Sequence, residues 1–291
     1  MRKFYIEDNE GNRYDLNNRG DRIFLSNPSG LGMTRGGSLV DIQSGFFRDV
    51  APETEPQNSI VCDLVFLNPN AYERYREFTD WVNAAAELFL VYVPYGTTEY
   101  YRKVSVEYLT KTELTAGKWL TVPFSVSCLT PWYHAAPGTL EITPSAANTV
   151  KYTFSYTPSL AYCSGRAGTM AAEVPTDGHL PGAFVLSIKT ALQNPVISLE
   201  SATSAKVYGK CALNITTSAS DTLEISTRYG DSYIRKIAQD GTVTDLLGNV
   251  NLAFDPFPHI PLNDDCFISL TADNSIAGTG TIQVYYYYRS V

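Results

Sequence analysis

A chain of 291 residues with 44% hydrophobic and 18% charged residues is long enough for two cores and lies far from the composition of disordered chains. Its formal net charge of -8 excludes a protein that grips nucleic acid through a basic face, though not a surface past which DNA slides. The 12% aromatic content, with 20 Tyr, leans the chain towards β structure, where such rings fill pleated, half-buried surfaces.

The first residues, Met1 to Asp8, lack the apolar run of a secretory signal, and no uncharged apolar stretch is long enough to cross a bilayer. The expectation is a protein made in the cytosol of its producing cell, with no membrane insertion. Phe4 to Ile6, a turn at Asp8 to Asn12, and Tyr14 to Leu16 read as an opening hairpin, followed by a strand at Ile23 to Leu25. Asn27 to Gly32 reads as a loop and the glycine-rich Thr34 to Ser38 as a turn. Asp49 to Ser59, with Pro52, Pro56 and three carboxylates, reads as an exposed connection.

Pro69 to Trp81 is the one clear helix. Asn70 and Glu73 suggest a weak capping box, and Tyr72, Tyr75, Phe78 or Thr79, and Val82 form an apolar stripe for docking on a sheet. Strand-like runs flank it, at Ile60 to Phe66 and Leu88 to Pro94. Tyr100 to Tyr108 alternates Val104, Val106 and Tyr108 against Lys103, Ser105 and Glu107; Leu120 to Cys128 alternates more strongly, and the turn at Thr115 to Gly117 makes the two antiparallel. The Pro131 and Ala135 to Gly138 region reads as a linker, which puts a boundary between residues 1–134 and 139–291.

Beyond the linker the chain reads as short strands only: Val150 to Tyr156, Ala183 to Ile188, Pro195 to Leu199, Cys211 to Ile215, Thr222 to Thr227, Ser232 to Ile237, Cys266 to Thr271 and Thr281 to Tyr288. Regular spacing without helices predicts a two-sheet sandwich of jelly-roll kind. The last strand carries Tyr285, Tyr286, Tyr287 and Tyr288, which in an extended chain put two rings on each face. These rings, and Trp132, are candidates for packing or for stacking on a sugar.

No reaction chemistry is visible. His134, His179 and His259 sit in linker and proline-flanked turns without metalloprotease or triad spacing, and Asp264 and Asp265 face opposite sides if extended. The five cysteines are far apart in sequence and read as free thiols. The expectation is no enzyme, no cofactor and no metal.

The order of several motifs resembles a known family. These are G-N-R-Y-D-L (Gly11 to Leu16), N-P-S-G-L-G (Asn27 to Gly32), F-F-R (Phe46 to Arg48), C-D-L-V-F (Cys62 to Phe66), Y-E-R-Y-R-E-F-T-D-W (Tyr72 to Trp81), L-F-L-V-Y-V-P (Leu88 to Pro94), Y-L-T-K-T-E (Tyr108 to Glu113) and L-T-P-W-Y (Leu129 to Tyr133). With N-P-V-I-S-L (Asn194 to Leu199), L-E-I-S-T (Leu223 to Thr227) and the final tyrosine strand, the chain resembles the distal tail proteins of long-tailed, non-contractile phages and prophages. The resemblance implies an all-β chain: a sandwich or barrel-like N-terminal domain carrying one docked helix, then a jelly-roll, galectin-like C-terminal sandwich. It implies a homohexameric ring at the virion tail tip, assembled in the bacterial host cytoplasm. The tail tube protein would lie above the ring and a tail-tip or fibre protein below, with DNA passing through the lumen without specific binding. The second domain would carry a receptor-binding protein or bind a host glycan. Phe46 and Phe47, adjacent in a long connection, cannot both face one core from a strand, which makes them candidates for a neighbour's surface.

Overall fold

The computed structural model describes residues 2–17, 22–42, 46–56, 58–144, 169–204, 206–251, 253 and 255–291, with backbone alone for 34–42, 46–56, 144 and 169. It divides into two compact units, Met1–His134 with Tyr287–Val291, and Ala135–Tyr286. The chain is β-rich with a single α-helix among the described residues. The expected strand at Val150 to Tyr156 lies outside them, as does Cys163.

The first unit contains β1 (Lys3–Asp8), β2 (Arg13–Asp15), β3 (Ile23–Ser29), β4 (Met33–Ile42), β5 (Phe46–Pro56), β6 (Ser59–Phe66), α1 (Ala71–Ala84), β7 (Leu88–Val93), β8 (Tyr100–Leu109), β9 (Leu120–Cys128) and β10 (Trp132–Ala135). Its main sheet is antiparallel in the order β2-β1-β7-β8-β9-β6-β3. Among the described residues one bond, Leu25 N to the Leu16 carbonyl at 2.7 Å, links the two ends, and no ladder joins β2 to β3, so the sheet is not closed as a barrel. Strand alternation sends Phe4, Ile6, Ile60, Leu64, Phe66, Leu90, Val122 and Phe124 to one face, where each is almost wholly buried. That face receives the helix.

Helix α1 differs from the sequence reading at its start. Asn70 is left-handed (φ 70) and makes no side-chain cap; instead its carbonyl accepts from Arg74 N at 3.0 Å, so backbone rather than a capping box begins the helix. The buried positions are Ala71 and Phe78. Tyr72 and Tyr75 are only half-buried because each places its hydroxyl at the rim, donating to Glu113 Oε2 at 2.7 Å and to the Leu109 carbonyl at 3.1 Å.

Two further expectations are corrected. Thr34 to Ser38 and Asp49 to Ser59 are not turn and connection: β4 and β5 run ten and eleven residues and pair with each other from Met33↔Pro56 to Ile42↔Phe46. In β8, Tyr108 does not share the face of Val104. The register shifts between Val106 and Tyr108, so that Tyr108 lies opposite Ser125 and is 42% exposed. One extra residue in a strand turns the next side chain over.

At the root of the β4–β5 ribbon, Gly30 has φ +92, and a Cβ there would meet the Ser59 carbonyl oxygen at 2.1 Å. Only glycine fits this close approach of two backbones.

The second unit contains β11 (Leu140–Pro144), β12 (Thr169–Val174), β13 (Leu180–Lys189), β14 (Leu192–Gln193), β15 (Val196–Ser201), β16 (Val207–Ala212), β17 (Thr216–Thr217), β18 (Thr222–Arg228), β19 (Asp231–Ile237), β20 (Val243–Asp245), β21 (Cys266–Thr271) and β22 (Gly280–Tyr288), whose last two residues belong to the first unit. One sheet runs β20-β19-β18-β13-β22-β11 and the other β16-β15-β21-β12-β11, with β11 contributing to both. Phe184, Leu186, Leu223, Ile225, Ile234, Ile282 and Val284 on the first, and Met170, Ile197, Leu199, Ile268 and Leu270 on the second, are at most 1% exposed. Each such side chain contributes about 1.5–3 kcal/mol on burial, which makes a sandwich of the two sheets. The strand expected at Cys211 to Ile215 is instead Val207–Ala212, because Leu213 leaves the ladder to bridge Val250. Cys211 is buried, and burial pushes its thiol up to about 12, which leaves it a protonated core group.

The His259 ring packs against Tyr229, tilted, with centroids 4.5 Å apart, and its buried Nε2 has no hydrogen-bond partner among the described residues. Burial holds its pKa below the usual histidine value, against a smaller opposing pull from Asp255. The unfolded chain therefore takes up this proton at higher pH than the folded one, and stability falls as pH drops from about 6.5. The expected result is a melting temperature of the second unit that declines between neutral pH and pH 5, and a smaller decline in His259→Phe. Parallel curves for the two proteins would show that this proton is not coupled to folding.

Candidate functional site

Phe46 and Phe47 open β5, their backbones paired with Ile42 and Asp41; their side chains lie outside the described residues. The ribbon that carries them is a sheet of its own and pairs with no third strand among the described residues. Ten residues of extended chain reach about 30 Å. A lone two-stranded ribbon is marginal in water, and its outer edges present rows of unpaired amide and carbonyl groups.

Trp132 is fully buried. Its ring lies 5.9 Å from that of Tyr92, and the Arg102 guanidinium sits over it at 5.6 Å. Arg102 is itself 1% exposed; its Nε donates to the Thr130 carbonyl at 2.7 Å, and burial lowers its pKa. The ring of Trp132 thus has no face open to a ligand, and its place is in the core of the first unit.

The tyrosine run is divided between the units. In the second, Tyr286 points inward and is 8% exposed, while Tyr285 faces the other side, half-buried beneath the Arg228 guanidinium at 5.2 Å. In the first, Tyr287 is 1% exposed and packs on Tyr133, which stacks on Tyr101; Tyr288 meets Tyr100 edge-on at 5.3 Å. Alternation puts two rings on each side, as the sequence implies, and the rings are engaged by aromatic neighbours, by core or, for Tyr285, by Arg228.

Two charged arrangements complete the first unit's surface. Arg13 donates to both Glu99 oxygens at 2.9 Å, pairs with Glu7, and lies over the Tyr5 and Tyr101 rings. The fork on Arg13 holds the Glu99 carboxyl below its ordinary range. Beside the helix, a cavity of about 420 Å³ is bounded by Tyr72, Glu73, Tyr75, Arg76, Thr79, Asp80 and Lys111, with the Lys111 ammonium 4.9 Å from the Tyr72 ring. Among the described residues no group of three or more His, Cys, Asp or Glu side chains is arranged to hold a metal ion.

Residues 3–129 match the family model of the distal tail protein, N-terminal domain. Among curated proteins none matches this sequence. Over all of both chains the fold is similar to a chain of the phage P2 baseplate in its activated conformation with Ca, at 14% identity and a TM-score of 0.68, and equally to the form with Sr. It is also similar to the SPP1 Dit protein, described as a paradigm of hub adsorption apparatus in Gram-positive infecting phages, at 10% identity and a TM-score of 0.52 over 97% of this chain and 98% of that one. At these identities the likeness is one of fold. The matched sequence makes residues 3–129 a distal tail protein N-terminal domain.

Proposed function

We propose that this chain forms a homohexameric ring at the distal end of a non-contractile phage tail, joining the tail tube protein to the tail-tip or fibre protein. A distal tail protein is a structural component of the phage tail's baseplate or hub. The finer reading is carried by one observation, the self-paired β4–β5 ribbon. In a cyclic assembly each subunit offers one surface and receives a different one, and a ribbon with unpaired edges is suited to lie on the next copy. Residues 1–134 would make the ring and 139–291 would serve attachment. The net charge of -8 accords with a lumen that lets DNA pass without holding it. Assembly in the host cytoplasm and residence at the virion tail tip follow from this role.

Light scattering coupled to size exclusion tests the ring over a range of concentrations. The expected mass is that of a hexamer. A single-chain mass at every concentration, with the tail tube protein present as well as absent, overturns the reading.

A second reading, compatible with the first, makes the C-terminal sandwich a carbohydrate-binding module for host-surface attachment. It is favoured by the half-buried Tyr285 under Arg228, a ring and a planar cation on the outward side of a sheet.

A further inference from the structure

We propose that Tyr95 of one copy seats in the cavity beside helix α1 of the next, a head-to-tail contact between first units around the ring. The inference rests on the ring reading above and adds to it a knob and the hole that receives it. Tyr95 lies in the turn between β7 and β8 and is 87% exposed, with no hydrogen bond or ring contact among the described residues. Exposure alone says little of a single surface ring; the way the turn is held makes it a knob. Gly96 supplies the left-handed position (φ 71). At the foot of the turn the Glu99 carboxylate takes the Arg13 fork at 2.9 Å and the Tyr101 hydroxyl at 2.6 Å, and the Glu99 carbonyl lies 3.1 Å from His134 Nδ1. A tyrosine on a turn pinned at its base gives up little freedom on docking.

The hole is at the other end of the same strand. β8 starts at Tyr100, just past the turn, and runs ten residues to Leu109, about 30 Å of extended chain. The Leu109 carbonyl accepts from the Tyr75 hydroxyl, and Lys111, just beyond it, closes one wall of the cavity. Knob and hole are therefore different surfaces at opposite ends of one strand. Head-to-tail contacts require this, whereas a patch that matched itself would give a two-fold pair.

The open rim selects the occupant. Tyr72 and Tyr75 are wall only, since their hydroxyls are committed to Glu113 and Leu109 and Lys111 lies over the Tyr72 ring. Arg76 and Asp80 have side chains 83% and 70% exposed and 3.7 Å apart, a pair worth little in water and free to close over a guest. An incoming phenol offers its ring face to the Arg76 guanidinium and its hydroxyl proton to the Asp80 carboxylate. Around the cavity Arg76 and Lys111 balance Glu73 and Asp80, so a charged guest gains nothing over a neutral one. The volume of about 420 Å³ falls in the range of pockets that take a small organic group, roughly 300–1,000 Å³.

Photo-crosslinking of the full chain carrying Tyr95→p-benzoylphenylalanine tests this, with light scattering on Tyr95→Ala beside it. Irradiation is expected to link chains into a ladder, with the adduct mapped by mass spectrometry to the helix between Tyr72 and Asp80 or to Lys111. Tyr95→Ala is expected to raise the concentration of half-assembly about tenfold or more and to leave the melting temperature of the single chain unmoved, because the ring it removes is in water there. An adduct elsewhere on the neighbouring copy, or Tyr95→Ala assembling as tightly as the wild type, overturns this contact and leaves the ring standing. An adduct on added tail tube protein gives the knob to that partner and overturns a second copy as the occupant. A single-chain mass for the wild type at every concentration, with and without the tail tube protein, overturns both readings.

Discussion

Phe46→Ser with Phe47→Ser is expected to turn a hexamer into a single chain at dilute concentration, with the melting temperature of the isolated chain little changed. The two positions open β5 at the far end of the ribbon from Gly30 and Ser59, and neighbouring positions of a strand point to opposite faces. A two-stranded ribbon cannot enclose both. Burying a phenylalanine against a neighbouring copy contributes about 1.5–3 kcal/mol, repeated at every interface of the ring, and each 1.4 kcal/mol is roughly tenfold in an association constant. Light scattering reads the mass and circular dichroism the fold. Retention of the full oligomer by the double variant at dilute concentration would mean that the ribbon's tip holds no neighbour.

The largest loss of stability is expected at Phe78. Its ring is wholly buried and lies 5.3 Å from Tyr14, 6.0 Å from Phe66 and 6.3 Å from both Trp81 and Phe124, so it is the point where the helix meets the β-sheet core. Phe78→Ala is expected to cost about 3–5 kcal/mol, because transfer and cavity terms add and strands on the far side cannot collapse into the gap. Calorimetry should show the transition of the first unit lowered by roughly 10 °C or more, with that of the second unit unmoved. A shift of only a few degrees would place the helix's anchorage elsewhere, on Tyr14 and Trp81.

Much of this was legible because burial on one face writes alternation into a strand. Leu120, Val122, Phe124 and Val126 state their own geometry, and so do Ile268 and Leu270. The ribbon was not legible, since a pair of strands outside both sheets has no core to impose a period, and Gly36, Gly37, Pro52 and Pro56 look like turn residues. Tyr108 misled for a different reason: a bulge is set by the partner strand and leaves no mark in local sequence. Trp132 and Tyr287 show the limits for site residues, because a large ring reads the same whether it lines a core or a ligand surface.

Gly30 bears on the symmetry of the proposed ring. The ribbon leaves the sheet where two backbones nearly touch, and that contact sets the direction in which it is aimed. In a ring each subunit repeats the same rotation, so an angular error at this hinge accumulates once per subunit around the circle. A rotation slightly off closure produces an open spiral with unsatisfied ends in place of a collar. In the proposed ring, the absence of a single methyl group at Gly30 is what would let the circle meet itself.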